Sequence, residues 1–280
     1  MAVPPVNEIG SDYIGFRLAA ILNDNSVLLQ KSIQRLTSGL KLQSAGDNPA
    51  GAGISVKLQN QIARVGAASE AVGNVTDYVQ SQSDFLDSVS TSLSRMSELA
   101  TLSSSGTATD ANRSAYQVEF SALQLFVSDI GQRSFNNLSL FNAGAMTTII
   151  DENGRTFGLS AISYNSASTA GGLASVYNPS TIDVSTTTAS AVAGAAVSVA
   201  IGNLSIIQAA ISARSEILGY YTANLTNVSD NLTSMNNRIV KTDATLESAE
   251  FNRLDLLTQT GTTMIANWNA LRTNLLSLFQ

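Results

Sequence analysis

Neither cysteine nor histidine occurs in this 280-residue chain. Their absence removes thiol nucleophiles, disulfides, imidazole bases and the usual ligands of zinc, copper and haem together. Serine is plentiful, but without histidine a catalytic serine needs a lysine or carboxylate partner in a shaped pocket, and nothing at motif spacing offers one. The reading is of a protein that is not an enzyme, with no catalytic, cofactor-binding or metal-ligating residues and no cofactor. The lack of cysteine suits either redox compartment and assigns neither.

Charge is scarce too. Only 13% of residues are charged, and the balance is a net −6, so there is no electrostatic footprint for nucleic acid or for an anionic membrane. No apolar run is read as long enough to span a membrane. The N-terminal stretch lacks the basic start, apolar middle and small-residue cleavage site of a secretory signal. Of only four prolines, Pro4 and Pro5 sit at the start, so a first helix begins after them, with Asp12 as its expected cap.

Periodicity dominates what is present. From Leu58 through Val65, Val72, Val79, Leu86 and Leu93 to Ala100, apolar residues recur in three-four alternation, with Gln61 and Gln82 as the polar exceptions. This is the pattern of a helix built to pack along its whole length. Unbroken, such a helix measures roughly 65 Å at 1.5 Å per residue. Leu204, Ile207, Ile211, Leu218, Leu225, Leu232 and Ile239 repeat the pattern near the other end, interrupted by Arg214. The seam resumes from Leu254 through Leu257, Gly261, Met264, Trp268, Leu271 and Leu275 to Leu278, displaced by one residue, as at a joint between packing units.

The rest of the chain fills in around these seams. Tyr13 to about Leu40 reads as a helix with Leu22, Leu29, Ile33, Leu36 and Leu40 on one stripe, and SAGDNPAGAG as an irregular connection. A long helix follows from about Ala52 to Ser104, then a second one capped by Thr109 or Asp110. A β-hairpin is expected over about 145–162, turning at Asn153-Gly154. Next come a Ser/Thr/Gly/Ala surface loop over about 165–189 and a descending helix from Ser190 to Ile239. The fold class is mainly α: a long antiparallel coiled-coil or helical bundle with one small β-hairpin.

The last segment is apolar over most of its circumference, since Leu256, Ile265, Leu276 and Phe279 lie off the seam and only Asp255 and Arg272 are charged. A helix of that kind must be buried. The N-terminal helix can cover one side, so the ends need other copies or another protein, and a head-to-tail contact that does not close on itself grows an open filament.

Several runs now resemble bacterial flagellin. QRLTSGLKLQSAGDNPAGAGIS (34–55) is similar to the family's join between its first and long helices, and LSRMSELATLSSSG (93–106) to the end of the long helix. RSFNNLSLF (133–141) resembles the stretch before the hairpin, and QTGTTMIANWNALRTNLLSLF (259–279) the C-terminal motif. The resemblance implies an inner filament-core domain of paired terminal helices, 1–42 with 242–280, and an outer helical domain, 43–241, without large insertions. It implies polymerisation of the chain with itself and export, unfolded, through the flagellar type III apparatus without a cleaved signal. Extracellular placement in the flagellum follows, as do an export chaperone, filament cap and hook-filament junction proteins as partners, with no nucleic acid and no membrane.

Expected inner-core residues are Leu29, Ile33, Leu36, Leu254, Leu257, Met264, Trp268, Leu271, Leu275 and Leu278. The resemblance further places the contacts of the flagellin-sensing Toll-like receptor on Arg95, Leu99 and Glu119. A hook-filament junction protein of the same export system is the nearest alternative. A chemoreceptor-type signalling hairpin fits less well, because it lacks the Asn153-Gly154 turn and carries a membrane span.

Overall fold

A computed structural model of the chain describes residues 6–142, 144–165, 172–177 and 182–277. They form six helices and two two-stranded antiparallel sheets: α1 (Val6–Ser38), α2 (Pro49–Ser104), α3 (Asp110–Ile130), β1 (Ser134–Phe135), β2 (Leu138–Ser139), β3 (Met146–Ile149), β4 (Thr156–Leu159), α4 (Ala174–Tyr177), α5 (Thr187–Val240) and α6 (Ala244–Ser277). The chain divides into two units, Met1–Asn60 with Asn231–Gln280, and Gln61–Asp230. The mainly α class read from the periodicity is what the chain adopts.

The helix ends follow local chemistry. α1 starts directly after Pro5, and Asp12 lies within it instead of capping it. It stops at Gly39, whose φ of +69° suits a residue without Cβ just past a helix end. α2 begins at Pro49, three residues earlier than expected, because Asn48 accepts the Gly51 N–H at 3.0 Å as the cap and a proline loses nothing at the first helical position. Thr109 caps α3 through the Asn112 N–H. Asp243 caps α6 through the N–H groups of Thr245 and Leu246.

In the unit Gln61–Asp230, the seam of α2 is the core. Val65, Val72, Val79, Leu86, Leu93 and Met96 are buried, as are Ala193, Val197, Leu204, Ile211 and Leu218 of α5. The two helices run antiparallel: Gln208 donates to Asp87 at 3.0 Å, and further along Gly194 faces Ala100. α5 also contains a stretch long and apolar enough, by length and composition, to cross a membrane, which corrects the expectation that no run reaches that length. Scattered Ser, Asn and Gln hide it from the eye, while no charge occurs between Val184 and Ala213.

Two of the polar interruptions of the seams, Gln82 and Arg214, are anchors. Gln82 and Tyr78 both donate to the Leu140 carbonyl, and Arg214 donates to the Ser160 carbonyl at 2.7 Å, so each reaches the segment that joins α3 to α5. The hairpin β3–β4 pairs Met146 with Leu159 through Ile149 with Thr156. Its connection is the four-residue loop 151–154, in which the Asp151 carboxylate accepts the Asn153 and Arg155 N–H groups and Gly154 takes φ +84°. A second hairpin, β1–β2, was not anticipated. It turns on Asn136-Asn137, both at positive φ (48° and 64°), the backbone of a tight two-residue turn.

The expected surface loop over 165–189 is corrected where it is described. Leu173, Val176, Ile182 and Val184 are buried, α4 occupies Ala174–Tyr177, and α5 already begins at Thr187. Gln124 of α3 donates to the carbonyls of Val176 and Ile182, Asn203 donates to Gly172, and Gln117 accepts the Val184 N–H. Burial against α3 and α5 overrides a composition that by itself suggests exposed coil, because these side-chain amides satisfy the irregular backbone.

Candidate functional site

The terminal helices meet along one stripe each. A Cβ on Gly261 of α6 would lie 3.1 Å from Leu22 Cδ1, and Gly15 of α1 faces the Trp268 indole, so a missing side chain on one helix admits a large one on the other. Nearer the joint, Ser32 Oγ donates to the Glu247 carbonyl and Arg35 lies 3.8 Å from the Glu247 carboxylate. Beyond the helix ends Leu40 and Lys241 form an antiparallel bridge, with Lys41 N–H donating to Val240 and Thr242 N–H to Gly39. Both connections are thus tied to each other. Asp47 orders the first of them: its carboxylate accepts the Ser44 and Gln43 N–H groups and the Ser44 hydroxyl, which holds it below the usual carboxylate range.

The paired stripe on α6 is Leu254, Thr258, Gly261, Ile265 and Trp268, buried or half-buried; on α1 it includes half-buried Leu29 and Leu36. This corrects the expected seam. Leu254, Gly261 and Trp268 belong to it, but Leu257, Met264 and Leu271 do not; the last two are 60% and 56% exposed. Ile33 likewise faces outward. The physical reason is that α6 is apolar almost all round, so three-four spacing fits two rows of positions equally and cannot choose which one meets α1. The side chain of Leu275, and Leu278 altogether, lie outside the described residues.

The left-over row has its own regularity. Leu257, Met264 and Leu271 recur every seven residues and line one outward face of α6. On α1, Ile14, Phe16, Ile21, Val27, Leu28 and Ile33 are also exposed. Exposed apolar area on this scale, rimmed by few charges, marks a surface made for another protein surface.

The second set of candidate residues lies in the other unit. Arg95 of α2 forms a forked pair with Glu119 of α3, Nε to Oε1 at 2.6 Å and Nη2 to Oε2 at 3.0 Å, while Nη1 reaches Glu98 at 2.9 Å. The hydrogen bonds from Arg95 hold the Glu119 carboxyl below its ordinary value, and those of Glu119 raise the guanidinium. Leu99, one turn on, is completely buried. It therefore presents nothing to a binding partner, and the sequence grouping of these three residues as one contact surface is corrected to two surface charges over a core leucine.

Among the described residues no group of three or more carboxylates is placed to hold a metal ion. What the arrangement offers is adhesion: two helices satisfied on one face and unsatisfied on the other. Such a fold and surface define a structural subunit of an assembly.

Residues 13–145 match the family described as bacterial flagellin N-terminal helical region, and residues 195–279 the bacterial flagellin C-terminal helical region. The chain is 26% identical to a flagellin of Listeria monocytogenes, over 94% of this chain and 96% of that one. It is 25% identical to the flagellar filament 33 kDa core protein of Treponema phagedenis, over 92% and 95%. A solved structure of a putative flagellar hook-associated protein from Vibrio parahaemolyticus shares the fold, with a TM-score of 0.59 at 14% identity, covering 70% of this chain and 100% of that one. The chain belongs to the bacterial flagellin family. It is a structural component of the extracellular flagellar filament and not an enzyme.

Proposed function

We propose that the chain is the repeating unit of the filament and that sister copies bury the outward faces of its terminal helices. Residues 1–42 and 242–280 form the inner core of the polymer and residues 43–241 its outer helical layer. The observation that carries this is the Leu257, Met264 and Leu271 row, left in water by the α1–α6 pair. Each such side chain gains about 1.5 to 3 kcal/mol on burial.

The same reading takes the chain through the flagellar type III export apparatus unfolded and without cleavage. An export chaperone docks on the apolar α6 segment, and cap and hook-filament junction proteins meet the growing polymer. Relatives over nearly the full length are flagellins and filament core proteins, which favours a growing subunit over a junction protein. The test is negative-stain microscopy of purified chain after seeding. Long filaments are expected from the wild type and none from Leu271→Asp; short caps that never elongate, or normal filaments from the variant, overturn the proposal.

Recognition by the flagellin-sensing Toll-like receptor is a second reading, favoured by the solvent-facing Arg95–Glu119 pair. Arg95→Ala abolishes receptor-reporter activation by monomer if that pair is the contact, while Leu99 acts only by holding α2 in the core.

A further inference from the structure

Asn153-Gly154 reads in the sequence as a hairpin turn, and the fold does not use the pair in that way. A two-residue turn of this kind needs positive φ at both residues, but only Gly154 takes it here, at +84°, and Asn153 does not. The loop 151–154 is held instead by Asp151, whose carboxylate accepts the Asn153 N–H at 2.9 Å and the Arg155 N–H at 2.8 Å. These bonds draw on the backbone of Asn153 and leave its amide aside.

That side chain is exposed. Among the described residues its one hydrogen bond runs from Nδ2 to Glu152 Oε1 at 3.4 Å, at the far limit of such contacts. The Gly154 N–H lies between two tightly held neighbours but donates to the Asp151 carbonyl at 3.3 Å, long against the usual distance of about 2.9 to 3.0 Å. A Cβ built on Gly154 would meet nothing within 4 Å. The loop thus leaves loose the two adjacent groups that can react with each other, an amide carbon and a backbone nitrogen without a side chain beside it.

We propose that Asn153 is a site of spontaneous deamidation, a covalent change that needs only water. The Gly154 nitrogen, losing its proton, attacks Cγ of Asn153 and closes a five-membered imide; the side-chain nitrogen takes up that proton and leaves as ammonia. Water then opens the imide at one of its two carbonyl carbons. Opening at Cγ gives aspartate, and opening at the backbone carbonyl gives isoaspartate. Selectivity comes from the neighbour: Asn153 is the only asparagine of this chain that precedes glycine, and the others precede either a residue whose side chain crowds the attacking nitrogen or a proline without an N–H.

Both products exchange a neutral amide for a carboxylate, so a loop that already carries Asp151 and Glu152 gains a further negative charge. Isoaspartate also inserts a carbon into the main chain between the two N–H groups that Asp151 clamps. The bond to the Arg155 N–H is then lost, and the end of the hairpin loosens.

The site is independent of filament growth, so the purified full chain tests it. The native chain, the same chain unfolded in urea, and Asn153→Ser are held for days in mildly alkaline buffer and followed by peptide mass mapping and ion exchange. In the native chain Asn153 is expected to gain one mass unit before any other asparagine, with a one-charge acidic shift, an isoaspartate signal from isoaspartyl methyltransferase labelling, and faster amide exchange at Arg155 in the modified fraction. Asn153→Ser should lose the acidic shift. The proposal is overturned if Asn153 stays intact in the native chain, whether or not it reacts in urea, if other asparagines react as fast, or if the acidic shift persists in Asn153→Ser.

Discussion

The two units solve the problem of an apolar helix in different ways. In Gln61–Asp230 the seam residues of α2 vanish into a core shared with α3, α5 and the irregular segment between them. In the terminal unit, α1 and α6 pair along one stripe each, and each leaves an apolar row outside. The first unit encloses its α2 seam on every side, whereas the second leaves an outer row of its α6 seam open. The lesson is that apolar helix faces yield stability where three elements converge and adhesiveness where two meet.

The sharpest way to break that comparison is to make the same change in both units. Leu93→Ala removes a fully buried side chain and is expected to cost about 3 to 5 kcal/mol of the central unit's stability, read as a fall in the urea midpoint at constant slope. Leu271→Ala removes a half-exposed one, should shift monomer unfolding by less than about 0.5 kcal/mol, and should raise the critical concentration for filament growth. If Leu271→Ala destabilises the dilute monomer as much as Leu93→Ala does, the terminal pair is already a closed core and the contrast fails.

That contrast also marks how far the sequence could be read. The α2 seam was legible because its helix is apolar on one side only, so Val72, Leu86 and Leu93 had a single face to bury. On α6 the period was legible and the face was not, because Ile265 and Met264 are equally greasy neighbours and only the position of α1 distinguishes them. The Arg95–Glu119 pair gave no period at all; its members sit on different helices, and only the fold sets Nε against Oε1. The turn at Asn136-Asn137 had a usable signal, two adjacent residues tolerant of positive φ, flanked by Phe135 and Leu138. Its strands of two residues are too short to show alternation. Tyr164, Leu173, Val176 and Val184 were hidden by the small residues around them, since irregular chain buried by side-chain amides has no periodicity to detect.

Smaller changes sharpen the account of what holds each unit. Tyr164→Phe deletes a buried hydroxyl that donates to the Val127 carbonyl at 2.6 Å and should cost about 1 to 2 kcal/mol, part of it from leaving that carbonyl unsatisfied. Burial also pushes the Tyr164 phenol upward, so the tyrosinate absorbance that Tyr164 contributes, read as wild type minus Tyr164→Phe, should appear only with alkaline unfolding. In the terminal unit, Gly39→Ala forces a side chain into φ +69° and should cost about 1 to 2 kcal/mol. It should loosen the Thr242 N–H bond to the Gly39 carbonyl, visible as faster amide exchange at Thr242.

The smallest effect concerns the central unit's surface. Glu119 has its pKa lowered in the folded state, chiefly by the hydrogen bonds from Arg95. A carboxyl whose folded pKa lies below its unfolded value contributes stability that is fully present above the unfolded pKa, about 4.3 for glutamate. That contribution is lost as pH falls through the folded value. Both groups are solvent-exposed, so the contribution is modest and salt screens it. In Arg95→Gln it should disappear. The stability gap between wild type and variant is therefore flat from pH 7 to about 5 and closes below about pH 4. It should narrow when salt is raised at neutral pH. A Glu119 carboxyl titrating in the ordinary range with Arg95 intact, seen by carbon NMR, would show that the fork between α2 and α3 is not held in solution, and α3 would then be held by Phe120, Gln124 and Val127 beneath it and by the Gln117 and Arg113 hydrogen bonds.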